Sequence, residues 1–363
     1  MTQSSLDHFR AVVDACADGV FWHPWQTPAQ ALGSLAERAA AYDLTWDRYA
    51  EDGPVAQVEA ELTALFGIGG AAFFPSGTMA QQCALRVWCD RAGSTRVALP
   101  DLSHLLVHEA DGPRLLHGFR FEHLTTGPVA PTAADLDAIP GELAAVLVEL
   151  PLRDAGCVLP AWDDLVALGE AARGRGAALH VDGARIWESQ PFWDRSLAEV
   201  AGVADSMYVS FYKGLGGLAG AALVGDEDVV AEARLWRKRM GGTLFHLTAE
   251  AIGALVGLRE MPLFSDHLAW ARALAAALPE HGITAHPAPP HVPTFHVYAA
   301  GEPDSVNERL LAVVKREDLQ LGGPWRAADE PGRVRNELVC AAPALAHDPA
   351  RVAALLGEAV AAP

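Results

Sequence analysis

Apolar residues recur along this chain in two rhythms. One has helical spacing: Val55, Val58, Leu62, Leu65 and Phe66 mark a helix over about 55–66. The other consists of short unbroken runs at 71–74, 96–99, 144–150, 177–181, 206–210 and 219–224, each read as a buried strand. Helical or polar stretches separate them, including 79–90, 162–173 and 226–240. Continuous apolar strands alternating with helices predict an α/β fold, a mostly parallel sheet flanked by helices.

The same pattern divides the chain. Residues 1–44 read as an arm of helix and loop, 45–257 as a large domain, and 258–363 as a smaller C-terminal α+β domain. An Ala/Leu-rich helical region over 248–278 leads into the last of these. It is followed by a strand at 294–298, a helix at 306–316, a strand at 338–342 and a closing helix at 349–361. His286-Pro-Ala-Pro-Pro290 is a loop.

Composition narrows the function. At 51% apolar and 20% charged residues, the chain is of the globular type, and it has no apolar run long enough to span a bilayer. A net charge of −19 works against nucleic-acid binding, which needs a basic face. The first residues show no basic segment before an apolar one, which argues against secretion. Cysteines 16, 83, 89, 157 and 340 are odd in number, with no CxxC pair. They point to reduced thiols in a cytoplasm rather than disulfides or structural zinc.

Four places could carry chemistry. Lys213 stands between two apolar runs, followed by a glycine-rich turn whose glycines read as room for a ligand. Burial would lower its ammonium pKa and make it an amine nucleophile, unless it is a strand-end lysine reaching solvent. Ser76-Gly77-Thr78 lies between strand and helix, either as a phosphate site or as an ordinary N-cap. Asp182 and Arg185 of His180-Val-Asp-Gly-Ala-Arg185 follow a strand end, where α/β sheets hold ligands, or form a solvated pair. His104 could stack on a flat ring or act as acid and base; His108 reads as structural. The loop after Lys213 lacks GxGxxG spacing, and His108-Glu109 lacks the following histidine of a zincin. In order, these places meet the needs of pyridoxal phosphate: a phosphate anchor, a ring cover, a partner for the ring nitrogen and an amine.

Tyr49-Ala-Glu-Asp, Phe74-Pro-Ser-Gly-Thr-Met-Ala80, His104 with Glu109, His180–Arg185, Lys213-Gly-Leu-Gly216 and Arg237-Lys-Arg-Met-Gly-Gly242 follow one another in a familiar order. In these the chain resembles the threonine aldolase / β-eliminating lyase family of fold-type I pyridoxal-phosphate enzymes. The resemblance implies that Lys213 binds the cofactor covalently and that Asp182 pairs with its ring nitrogen. By the same resemblance Arg185 approaches the phenolic oxygen, His104 stacks on the ring, and Ser76, Gly77 and Thr78 hold the phosphate. It implies cleavage of a β-hydroxy-α-amino acid to glycine and an aldehyde, with His104 as base, in a homodimer or homotetramer with shared active sites. An arginine should bind the substrate carboxylate; Arg335 is the candidate, with Arg153 and Arg326 open. β-Elimination or racemisation of another amino acid is the alternative, and a non-catalytic binding homologue the third reading.

Four segments depart from the family. Residues 14–30 do not match its opening Ser-Asp segment. Tyr212 replaces the serine before the lysine, and Phe245-His246 replaces Arg-Gln. Leu150-Pro-Leu-Arg153-Asp replaces Asn-Thr-His.

Overall fold

The computed structural model describes residues 3–23 and 26–361; Pro24 and Trp25 of the departing segment 14–30 lie outside the described residues. The chain forms two compact units, Pro28–Met261 and the combination of Met1–Thr27 with Pro262–Pro363. The arm expected over 1–44 is therefore divided between them.

The larger unit is built on seven strands: β1 (Gly70–Phe74), β2 (Arg96–Leu99), β3 (Arg120–His123), β4 (Ala145–Glu149), β5 (Ala178–Gly183), β6 (Ser206–Ser210) and β7 (Ala221–Gly225). Their order across the sheet is β1-β7-β6-β5-β4-β2-β3. All pairs are parallel except those of β7, which runs against both β1 and β6. Because β7 alone is reversed, the other six strands end at the same edge. Strands β1, β4, β5, β6 and β7 are buried along their whole length, which explains their unbroken apolar sequences. β3 was not legible because it is an edge strand, half-exposed, with the polar sequence Arg-Phe-Glu-His.

Helices α1 (Gly53–Phe66) and α2 (Gly77–Ala92) end in glycines, Gly67 and Gly93, both at φ 62. This left-handed stop suits a residue without Cβ. The helical region expected over 248–278 is two helices, Thr248–Arg259 and Phe264–Ala277. Pro262, which has no N–H to donate, lies between them.

The smaller unit has a four-stranded antiparallel sheet of Ile283–His286, Thr294–Ala300, Arg326–Ala327 and Arg333–Val339. The last strand starts earlier than expected, because its alternation of Arg333, Arg335 and Glu337 with buried Val334, Asn336 and Leu338 conceals it. Asp18–Gly19 pairs in parallel with Leu319–Gln320, and Phe9, Val20 and Phe21 enter this unit's core.

Candidate functional site

The edge where six strands end carries the residues singled out from sequence. Loop 211–220 joins β6 to β7 and presents Lys213. Gly217 N donates to Phe211 O at 2.8 Å, and Gly216 N to Lys213 O at 3.1 Å. A Cβ on Gly217 would lie 2.8 Å from Phe211 O, and one on Gly220 (φ +95) 2.5 Å from the Phe73 ring. At Gly217 and Gly220 the loop closes on its own protein neighbours, where a side chain would collide.

Lys213 Nζ lies 6.0 Å from the Tyr208 ring centroid and 5.7 Å from that of Tyr212. Burial, reinforced by Arg185 and opposed by Asp182 and Glu149, brings its ammonium down to about 8. The alternative of a strand-end lysine in free solvent does not describe this residue. Tyr212 is 44% exposed. Its phenol is pushed above the ordinary range by burial, against the pull of Arg185.

Asp182 ends β5 beside Glu149, its register partner at the end of β4. Asp182 is 1% exposed, and its Oδ1 accepts from Ala184 N at 3.0 Å. Burial raises its pKa, while Lys213, the Ala184 N–H, His104 and a hydrogen bond from Gln81 work the other way. Arg185 is likewise buried, its Nε 4.0 Å from Glu188 Oε1.

Glu149 is a member of this cluster that the sequence did not reveal. One oxygen accepts from His104 N at 2.9 Å and the other from Arg153 N at 3.1 Å. Burial and the neighbouring Asp182 carboxylate push it up to about 7. Sequence shows only a polar residue closing an apolar strand, which is a weak signal.

His104 begins a short helix, His104–Val107. Its Nε2 lies 3.2 Å from Glu109 Oε1, which also accepts from Thr78 Oγ1 at 2.9 Å. The bond to Glu109 raises the imidazole pKa against burial, and Asp182 and Glu149 add to that rise. Burial pushes Glu109 up, and the bonds from His104 and Thr78 more than offset it. Thr78 of α2, Glu109 and His104 are thus one connected unit facing Lys213, Asp182 and Glu149.

At the α2 N-terminus, Ser76 Oγ accepts from Met79 N at 3.3 Å, so Ser76 is an N-cap here. Gly77 packs against Tyr208, whose hydroxyl would lie 2.2 Å from an added Cβ. The tyrosine ring thereby spans from this helix end to Lys213. The first N–H groups of a helix have no intrahelical acceptor and favour an anion.

Of the arginines considered for a carboxylate, Arg153 acts electrostatically on Lys213. Arg335 and Arg326 belong to the other unit, where they face each other in strand register, Arg335 half-buried. His108, read as structural, has its Nε2 2.6 Å from Asp154 Oδ2 and its ring centroid 4.8 Å from that of His104.

Comparison with known proteins follows this geometry. A model of the beta-eliminating lyase family matches residues 27–301. The chain is 30% identical over 264 residues to a probable low-specificity L-threonine aldolase 2 of Arabidopsis thaliana, covering 69% of this chain and 73% of that protein. It is 36% identical to the aldolase vrtJ of Penicillium aethiopicum over 56% of this chain, spanning about half (54%) of that relative. A solved structure from Listeria monocytogenes EGD-E, provisionally assigned as an L-allo-threonine aldolase, superposes with TM-score 0.90 at 31% identity. It covers 98% of each chain.

Proposed function

We propose, from the premise that this chain belongs to the beta-eliminating lyase family of pyridoxal-phosphate-dependent, fold-type I enzymes, that it cleaves β-hydroxy-α-amino acids to glycine and an aldehyde. The observation that carries the reading is Lys213, a half-buried amine brought near neutrality among Asp182, Glu149, Arg185 and His104. The threonine aldolase relatives supply the substrate class.

The donor set fits pyridoxal phosphate. Lys213 would bind its aldehyde carbon, Asp182 its ring nitrogen and Arg185 its phenolic oxygen. His104 would cover the ring, and Ser76, Gly77 and Thr78 would hold the phosphate. When bound, the cofactor supplies an electron-withdrawing ring that stabilises negative charge at the substrate Cα. Lys213 takes and returns protons at Nζ, because an amine near 8 keeps a neutral fraction at pH 7. His104, with Nε2–H given to Glu109, leaves Nδ1 as the acceptor. Arg335 is the proposed partner of the substrate carboxylate, and the charge of Arg153 near Lys213 makes it the competitor.

Five free cysteines support a reducing, cytoplasmic setting. Among the described residues, no helix is long and apolar enough to cross a membrane. The exposed cluster of Trp46, Tyr49 and Phe245, with Tyr49 and Phe245 rings 5.3 Å apart, supports a homodimer or homotetramer. Sedimentation of the purified protein tests this, and a monomer would end the reading. For the activity, threonine and its longer analogues are incubated with holoenzyme and the products identified. Glycine with aldehyde is expected; pyruvate with ammonia would assign β-elimination instead.

A further inference from the structure

His104 and His108 are two imidazoles on one helical turn, each bonded through Nε2 to a different carboxylate. His104 points that nitrogen at Glu109, which Thr78 also holds. His108 points it at Asp154, at 2.6 Å. Asp154 sits on a loop fixed at both ends: Leu152 N donates to Val158 O at 2.9 Å, Gly156 N to Arg153 O at 2.9 Å. Arg153 N is bonded in turn to buried Glu149. This loop is where the chain replaces the family's Asn-Thr-His, so the aspartate comes with the departure. The two differ in setting more than in exposure. The His108 side chain is 36% exposed against 32% for His104, and it stands away from the Lys213 cluster by one ring, 4.8 Å between centroids.

We propose that His108, oriented by Asp154, is the base that takes the substrate's β-hydroxyl proton, while His104 covers the ring. A carboxylate holding Nε2–H fixes the tautomer and leaves Nδ1 with its lone pair to the incoming hydroxyl. The O–H bond breaks and its proton passes to Nδ1. Its electron pair forms the aldehyde C=O as the Cα–Cβ bond breaks, and that bond's pair stays on Cα, which is protonated to give glycine. His108 then returns its proton to solvent through its exposed side. The assignment rests on the cleavage reading above and moves the base role from His104.

The test compares wild type, His108→Gln and Asp154→Asn in two reactions. One is aldehyde release from threonine; the other is exchange of the glycine α-hydrogen in D2O, where no β-hydroxyl exists. His108→Gln should lower kcat for aldehyde release by roughly 10²–10⁴ while slowing exchange less than about threefold. Asp154→Asn should cost about tenfold in release. His104 and Glu109 on the same segment and Asp154 from the facing loop are the ionisable groups around His108. In the resting protein, 15N shifts should show His108 as the Nε2–H tautomer, lost in Asp154→Asn. Equal losses in both reactions, no loss in either, or mixed tautomers would overturn the assignment. Wild type that exchanges glycine yet releases no aldehyde would sink the cleavage reading itself.

Discussion

His180 and Asp182 lie two residues apart on β5, pointing the same way, and both are almost wholly removed from water. His180 bonds Ser206 Oγ at 2.8 Å through Nδ1, its Nε2 has no partner, and burial drives it down to about 3. Burial thus favours its neutral ring. Asp182 bears the same burial cost, but Lys213, His104, Gln81 and the Ala184 N–H all act against its shift. The lesson is that depth silences an ionisable group, and that charged neighbours restore its response. A strand can therefore hold packing and chemistry one pleat apart.

The most severe way to break this contrast is to remove the cation. Lys213→Ala should abolish the borohydride-reducible visible chromophore and aldehyde release together; residual covalent attachment would refute the role of this amine. Next in size, Asp182→Asn keeps the shape and removes the charge, and should lower kcat on the order of a hundredfold or more. Steady-state kinetics check it, and an effect below about tenfold would erase the distinction from His180.

Glu149→Gln sharpens the contrast through pH. The folded carboxyl sits near 7 against 4.5 in a free chain. Its stabilising share is therefore complete below 4.5 and lost as pH rises through 7. At about 1.4 kcal/mol per pKa unit, this amounts to a few kcal/mol. The variant's melting temperature should gain on wild type between pH 4.5 and 7.5, and parallel melting curves across that range would contradict it. His180→Leu should change kcat less than about threefold and stability by about 1 kcal/mol, because Trp88 Nε1 still donates to Ser206 Oγ at 2.9 Å. Smallest is Ser76→Ala, expected to remove about 1 kcal/mol of cap energy in urea titrations.

Much of the large unit could be read from its sequence, since buried parallel strands declare themselves as apolar runs. The expected runs at 96–99 and 206–210 coincide with β2 and β6. Edge strand β3 and the alternating strand Arg333–Val339 could not, because half their residues face water and read as loop or helix. Lys213, Asp182 and His104 stood out because a polar residue after an apolar run is visible locally. Glu149 and His108 did not, because their significance lies in partners distant in sequence. Glu149 meets the backbone of His104, and His108 meets Asp154 across a different loop. Spacing carries no trace of such encounters. The close approach of Gly217 to Phe211 and of Gly220 to Phe73 is hidden in the same way.

The union of residues up to Thr27 with those from Pro262 onward has a consequence for synthesis on the ribosome. Phe21 N waits for an acceptor on Gln320, 299 residues downstream, and Phe9 and Val20 are buried only with partners from that late segment. Residues 28–261 are contiguous and emerge before that late segment. The early apolar segment therefore waits for that late segment before it can be covered.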